Sequence, residues 1–382
     1  MWTRRRIAST TAVLTVLALF AWLTFHSSEP SYQGKSLSAW LEQASRNQEL
    51  EFTFPDVRLD TPTACAIRAM GKDAVPYLIR MARTRDTPLR RRFVDLSYQY
   101  DWIGLHPQHY SEIQAETWYG FLVLGPAAKT ALPELISMLD DPAPEVRANA
   151  AFAIGKIGPD AASALPALQT LINNWFSRKP QREFSDERVL TAYALGEIGS
   201  AARSALPQIE LLKKDADHSV RSVAEAAFVK ITGNGLGTIL ESLKDPSNWT
   251  NWLFAAHATK FLGPNGAQAI PFLIQALQHT NPMVRLRALD VLSSIHTSPE
   301  ITVPAILPLL ASANNNVVDR FTALAILRNL GPSARAMVPT ATLLQALADP
   351  DWGIRAQATN TLRQIDPEAA RKAGIDSGDD RN

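Results

Sequence analysis

Val146-Arg147-Ala148-Asn149-Ala150-Ala151-Phe152-Ala153-Ile154-Gly155-Lys156-Ile157-Gly158-Pro159, continued at Ala164-Leu165-Pro166-Ala167-Leu168, is the stretch that decides how the rest of this sequence is read. Val146, Ala150, Ala153, Ile154 and Ile157 fall on one helical face, and Leu165, Leu168, Leu171 and Ile172 do the same after the Gly-Pro pair. Glycine suits the left-handed residue that closes a helix. Proline suits a first helical turn, where its missing N–H costs nothing. The stretch therefore predicts helix A, a turn and helix B.

Relatives of this block recur along most of the chain. Gly71, Gly125, Gly158, Gly199, Gly263 and Gly331 each end an apolar helix-like run, and Thr232, His296 and Asp366 take the same place in weaker copies. Eleven residues before the marker stands Arg147, Arg188, Arg221, Arg285, Arg320 or Arg355, and eight after it Pro133, Pro166, Pro207, Pro271, Pro304 or Pro339. Self-similarity at a period of about 20–50 residues signals stacked repeats. One hairpin cannot bury both of its apolar stripes alone, whereas a stack buries them in a continuous core. No alternating strand pattern is present, so the predicted class is all-α.

This pattern resembles the HEAT family, specifically the short bacterial HEAT-like repeats also found in phycobilin lyases, over about residues 57–370. The resemblance implies a right-handed α-α superhelix of about nine hairpins, with helix B lining the concave side. It also implies a ladder in which an acidic or amide residue near the turn between repeats pairs with the helix-A arginine. Asp141, Asp215, Asn314 and Asp349 stand six residues before Arg147, Arg221, Arg320 and Arg355. His279 before Arg285 departs from that pattern, and Trp252 replaces the arginine of one copy, which should stack less regularly. The ladder reads as scaffold rather than ligand contact.

Ahead of the repeats, Arg4-Arg5-Arg6 precedes an uncharged run from Ile7 to Phe25. Its length nearly matches the ~20 residues of a membrane-spanning helix. The arginines should remain cytoplasmic. Residues 1–28 are expected to be a signal anchor in a bacterial inner membrane, with the repeats on the far side; cleavage of the same segment and secretion is the alternative. Residues 29–56 are read as a linker and a capping helix, with Leu37, Trp40 and Leu41 on one stripe. Tyr32 to Leu41 is similar to the segment preceding HEAT repeats in exported proteins of Verrucomicrobia and related bacteria. The polar tail 371–382 reads as disordered. The single cysteine, Cys65, excludes an internal disulfide and reads as a small core residue.

Two long gaps between markers locate insertions. The first carries Arg83, Arg85, Arg90, Arg91 and Arg92, then Tyr98, Tyr100, Trp102, Tyr110 and Trp118. Aromatics beside arginine are the material of interface hot spots. The alternative is a degenerate hairpin whose Phe93, Leu96 and Tyr100 fill its own core. The second insertion carries Trp175, Phe176 and Arg178, readable either as an extension of helix B or as a recognition edge. Trp249 and Trp252 are read as packing in place of the missing arginine.

Chemistry is sparse. His106, His109 and Asp101 could suggest a metal site, but Pro107 breaks the geometry that would aim both rings at one ion, so no metal is expected. There is no Gly-rich phosphate loop, His-Glu-x-x-His or nucleophile elbow, so no catalytic residue and no cofactor is assigned. A formal charge of +1 argues against nucleic-acid binding, which needs a basic face. The expected function is a membrane-tethered scaffold, held through residues 7–25, that binds a protein or extended peptide and is not an enzyme. Tyr98, Tyr100, Trp102, Tyr110, Trp175 and Arg178 are its candidate contacts. A phycobilin-lyase-like enzyme or chaperone, and a HEAT-like nucleic-acid-binding protein, are the alternatives.

Overall fold

A computed structural model describes residues 29–46, 61–99, 107–177, 185–295, 299–311 and 317–375. The anchor segment 7–25, the tail beyond residue 375, and Tyr100, Trp102, Arg178 and Asn314 lie outside the described residues. No helix among the described residues is long and apolar enough to cross a membrane. Two compact units are present, one formed mainly by residues up to Leu171 and the other by those from Ile172 onward.

The first unit opens on a feature that the all-α expectation lacked. Two strands, β1 (Ser31–Tyr32) and β2 (Lys35–Ser36), pair antiparallel where a linker was expected. Gln33 and Gly34 both have positive φ, as a two-residue hairpin turn demands. Helix α1 (Leu37–Arg46) then buries Leu37, Leu41 and Ala44. The first hairpin is α2 (Pro62–Met70) and α3 (Val75–Ala82). An inserted helix, α4 (Pro88–Gln99), separates it from α5 (Tyr110–Leu124) and α6 (Leu132–Met138), which are followed by α7 (Pro144–Ile157) and α8 (Leu165–Ser177). The boundary between the units falls within α8.

The second unit runs through α9 (Ser185–Ile198), α10 (Leu206–Leu212), α11 (His218–Thr232), α12 (Leu236–Leu243), α13 (Trp249–Leu262), α14 (Ile270–Ala276), α15 (Pro282–Ser294) and α16 (Pro299–Ala311). It ends with α17 (Val317–Leu330), α18 (Thr340–Ala346), α19 (Trp352–Ile365) and α20 (Pro367–Lys372). Within this unit each helix A packs against the next, α9 on α11, α11 on α13, and so on to α19. Among the described residues there are nine A–B hairpins.

The marker glycines end their helices at positive φ, but not in the simple left-handed conformation. Gly71, Gly125, Gly158 and Gly263 have φ/ψ of 54/−127°, 50/−129°, 74/−140° and 56/−134°. A side chain is less welcome there than in the left-handed helical region. The chain then runs through a 3-10 helix, seven residues long from Gly125, Gly158, Gly199 and Gly263, before helix B starts with proline in its first turn. Two prolines depart from this: Pro304 lies inside α16, and Pro339 is the N-cap of α18. The Thr232 copy departs further. Gly233 and Gly235 turn the chain in the left-handed region and α12 begins at once, without a 3-10 segment.

Alanine and glycine let the helices approach. Ala150, Ala151 and Ala153 of α7 have no exposed surface. A Cβ on Gly196 of α9 would lie 3.0 Å from the Cα of Ala227 in α11. Cys65, expected in the core, is instead exposed. It faces outward between buried Ala64 and Ala66.

Candidate partner-binding surface

The arginines eleven residues before the markers form the frame of the surface. In the second unit Arg188 meets the carboxylate of Asp215 at 3.0 Å, and Arg320 meets that of Asp349 at 3.0 Å, each bridging one repeat to the next. Both pairs are largely buried. The same aspartates also offer their backbone carbonyls. Arg221 donates to Asp215 O and Ala216 O (2.8 and 2.9 Å), and Arg355 to Asp349 O and Pro350 O (both 2.8 Å). One loop residue thus holds two arginines, one through its side chain and one through its backbone.

Two rungs differ from the expected pairing. Arg147 donates to the carbonyls of Asp141 and Pro142, while Asp141's carboxylate receives Arg85 from the loop after the first hairpin. Arg285 takes the carbonyls of His279 and Thr280 and pairs at 2.7 Å with Asp319, a residue of α17 itself. His279 therefore substitutes for an aspartate twice over, offering its carbonyl to Arg285 and its Nδ1 as acceptor for Asn281 N at 3.1 Å, where the other copies use a carboxylate oxygen. A second tier, unseen in the sequence, joins the far ends of the A helices: Lys230 to Glu197 at 2.7 Å and Lys260 to Asp290 at 2.9 Å. Trp252, at the place of the missing arginine, is fully buried and stacks on Trp249.

Arg285, Arg320 and Arg355 occupy the first turn of α15, α17 and α19. On those same first turns stand Met283, Val317, Val318 and Trp352, with Phe321 next after Arg320, all exposed, Trp352 by 75%. Neighbouring helices thus present apolar side chains at matching positions. Asn281 and Asp351 fix two of these turns by capping, accepting from Met283 N and Ile354 N. The rungs and caps hold the spacing of the edge.

The candidate contacts in the first unit are placed differently from one another. Tyr110 is part-buried, and the Asn149 Nδ2 group donates to its hydroxyl at 3.3 Å. Burial pushes the Tyr110 phenol up to about 12. Trp118 donates to Asn149 Oδ1 and stacks on Phe152. Tyr98 is exposed and stacks on His109, the one member of the suggested metal set that the structure describes. Phe93 and Leu96, which could have filled a local core, are exposed. In the second unit Trp175 is half-buried and donates to Glu187 at 3.2 Å, with Phe176 exposed beside it.

Burial also perturbs a carboxyl and an imidazole. Burial raises the Glu116 carboxyl to about 7, opposed by a hydrogen bond from Gln108 at 2.7 Å. Burial, assisted by Lys260, lowers His257 to about 4. A cavity of about 320 Å³ lies beside the shortened Gly233–Gly235 turn, floored by Phe228, Ile239 and Phe254. Lys213 closes one side, paired with Glu225 at 3.2 Å and lying 4.3 Å over the Phe228 ring. Among the described residues no three histidine, cysteine or acidic side chains are grouped to hold a metal.

Comparison with known proteins matches residues 120–157 to the HEAT-like repeat and residues 146–174 to the PBS lyase HEAT-like repeat. No match was found among curated proteins. Among solved structures, the complex of CpcE and CpcF of phycocyanin lyase from Nostoc sp. PCC7120 is 17% identical, with a TM-score of 0.36, 88% of this chain and 97% of that one covered. An engineered protein is 18% identical with a TM-score of 0.29, covering 90% and 93%. Kap121p bound to Pho4p is 14% identical with a TM-score of 0.31, covering 88% of this chain and 46% of that one.

Proposed function

We propose, on the premise that this chain is built of HEAT-like repeats, that it is a scaffold binding a protein or extended peptide and that it acts without catalysis. The observation that carries this reading is the edge formed by Met283, Val317, Val318, Phe321 and Trp352 on and just after the first turns of three neighbouring helices. Single exposed apolar side chains are ordinary, but a row of them carried on packed neighbouring helices marks an interaction site. Repeats suit such a role because each unit adds a similar increment of surface. Residues 7–25 are proposed to anchor the chain in a bacterial inner membrane, with the repeats outside the cytoplasm.

The test is photo-crosslinking in membranes of the native host, with the reactive residue at position 318, 352 or, as a control, 203. Arg203 is exposed on the 3-10 segment before α10. A common adduct from 318 and 352 that is missing from 203 supports the reading; adducts identical from all three positions contradict it. Incubating the chain with a bilin and an acceptor protein should leave the acceptor unmodified, and attachment would overturn the non-catalytic reading. Carbonate extraction should leave the full chain in the membrane pellet.

A further inference from the structure

The helix inserted after the first hairpin, α4, stands apart in character from every repeat helix. Leu89, Phe93 and Leu96 are exposed by 81%, 55% and 43%, although all three are large and apolar. Their spacing is four and then three residues. At about 100° per residue they span a stripe only about 60° wide. A stripe that narrow is the seam of a coiled coil, whereas a helix lying on a larger apolar surface needs a face of about 100° or more. In heptad terms Leu89, Phe93 and Leu96 take positions d, a and d.

The flanks of the seam are basic. In the same register Arg90 and Arg92 occupy e and g, the positions that choose a partner by charge. Arg90 is held by a hydrogen bond to the carbonyl of Gln108 at 2.8 Å, and Arg92 is exposed. Two copies of α4 packed on each other would set arginine against arginine. A partner helix with carboxylates at its own flanking positions would meet them with opposite charge. The helix is also fixed along the flank that carries Arg90: Ser97 at e and Val94 at b are buried, and Tyr98 stacks on His109 at a centroid distance of 5.2 Å, which leaves the Arg92 flank open. Its apolar side is therefore presented rather than left to collapse.

We propose that α4 is a docking site for one amphipathic helix of another protein, with apolar a and d residues flanked by glutamate or aspartate. This adds a second surface, in a different unit, to the protein-binding reading. Its test does not use the α15–α19 edge, so each can fail without the other.

The experiment measures fluorescence anisotropy with the full chain held in neutral-lipid nanodiscs. The probes are two stapled two-heptad peptides with leucine at a and d, one carrying glutamate and the other lysine at e and g. The glutamate peptide should bind at least about tenfold more tightly than the lysine peptide. Phe93→Ser should weaken it by about tenfold or more, within the range that hot-spot truncation gives. Arg92→Glu should narrow or invert the preference between the two peptides. Both side chains are exposed, so both variants should melt within a few degrees of the parent. Equal binding of the two peptides overturns the proposal, as does indifference to Phe93→Ser. So does concentration-dependent self-association that Phe93→Ser abolishes, or binding of anionic vesicles in place of either peptide.

Discussion

At the scale of single residues, geometry ranks side chains that look alike in the sequence. Arg188–Asp215 and Lys129–Asp160 are both ion pairs between neighbouring repeats, at 3.0 and 3.2 Å. The first is mostly hidden from water and the second is open to it. Asp215→Ala should destabilise by about 3 kcal/mol, because it strands a buried guanidinium and removes a loop cap. Asp160→Ala should cost less than about 1 kcal/mol. Urea denaturation of the two variants measures the contrast. Glycines separate the same way. Gly71 has open space around it but a φ of 54°, so Gly71→Ala should cost on the order of 1–3 kcal/mol through backbone strain alone. Gly237 sits inside α12 with equal space and no such φ, so Gly237→Ala should stabilise by about 0.5–1 kcal/mol. Glu116 carries the pH dependence. Its folded value of about 7 lies above the ordinary 4.5 of a glutamate, so the folded state holds the proton more tightly. The benefit is complete below about 4.5 and declines as pH rises, until it is gone above about 7. Glu116→Gln should thus raise stability at pH 8 by about 2 kcal/mol and change it little at pH 4.5, as melting curves at the two values would show.

At the scale of elements, the repeats were legible because two positions recur for a local reason. A glycine that must adopt positive φ and a proline best suited to a first turn leave the same mark at most of the hairpins, as at Gly158 and Pro166, with Pro304 inside α16 an exception. The 3-10 segment between them was not legible, since its residues satisfy a tighter winding with no distinctive composition. Orientation was less readable still. Ala64-Cys65-Ala66 is so uniformly small that periodicity does not say which member faces out. The pattern of α4 shows that Leu89, Phe93 and Leu96 share a face, but a stripe facing water has the same spacing as one facing a core. Trp352 and Met283 escaped notice because each belongs to an otherwise regular repeat. Only the matches with α17 between them, Met283 with Val318 and Trp352 with Val317, make them a set. Tyr110 drew attention for its aromatic ring, which the structure ties to Asn149. The inserted helix should be thermodynamically separable. Deleting residues 88–99 and bridging the gap with a Gly/Ser linker removes just two well-buried side chains, Val94 and Ser97. Circular dichroism should show the remaining helices melting within a few degrees of the parent.

At the scale of the whole molecule, contacts between neighbours dominate, and each compact unit has its own core. Stability in such an array is close to a sum of local terms. Urea unfolding of the full chain should therefore depart from a single two-state transition, with a slope below that expected for 382 residues unfolding at once. One sharp transition, coincident by fluorescence and circular dichroism, would contradict this. The rungs carry a consequence for growth. Asp215 serves the repeat before it with its carboxylate and its own repeat's Arg221 with its carbonyl. Every module thus bears both plug and socket. If the gene segment encoding residues 189–221 were copied in tandem, the first copy's Arg221 would find the second copy's Asp215 waiting as Arg188 does now. Such an array lengthens by duplication, with no fresh junction to invent.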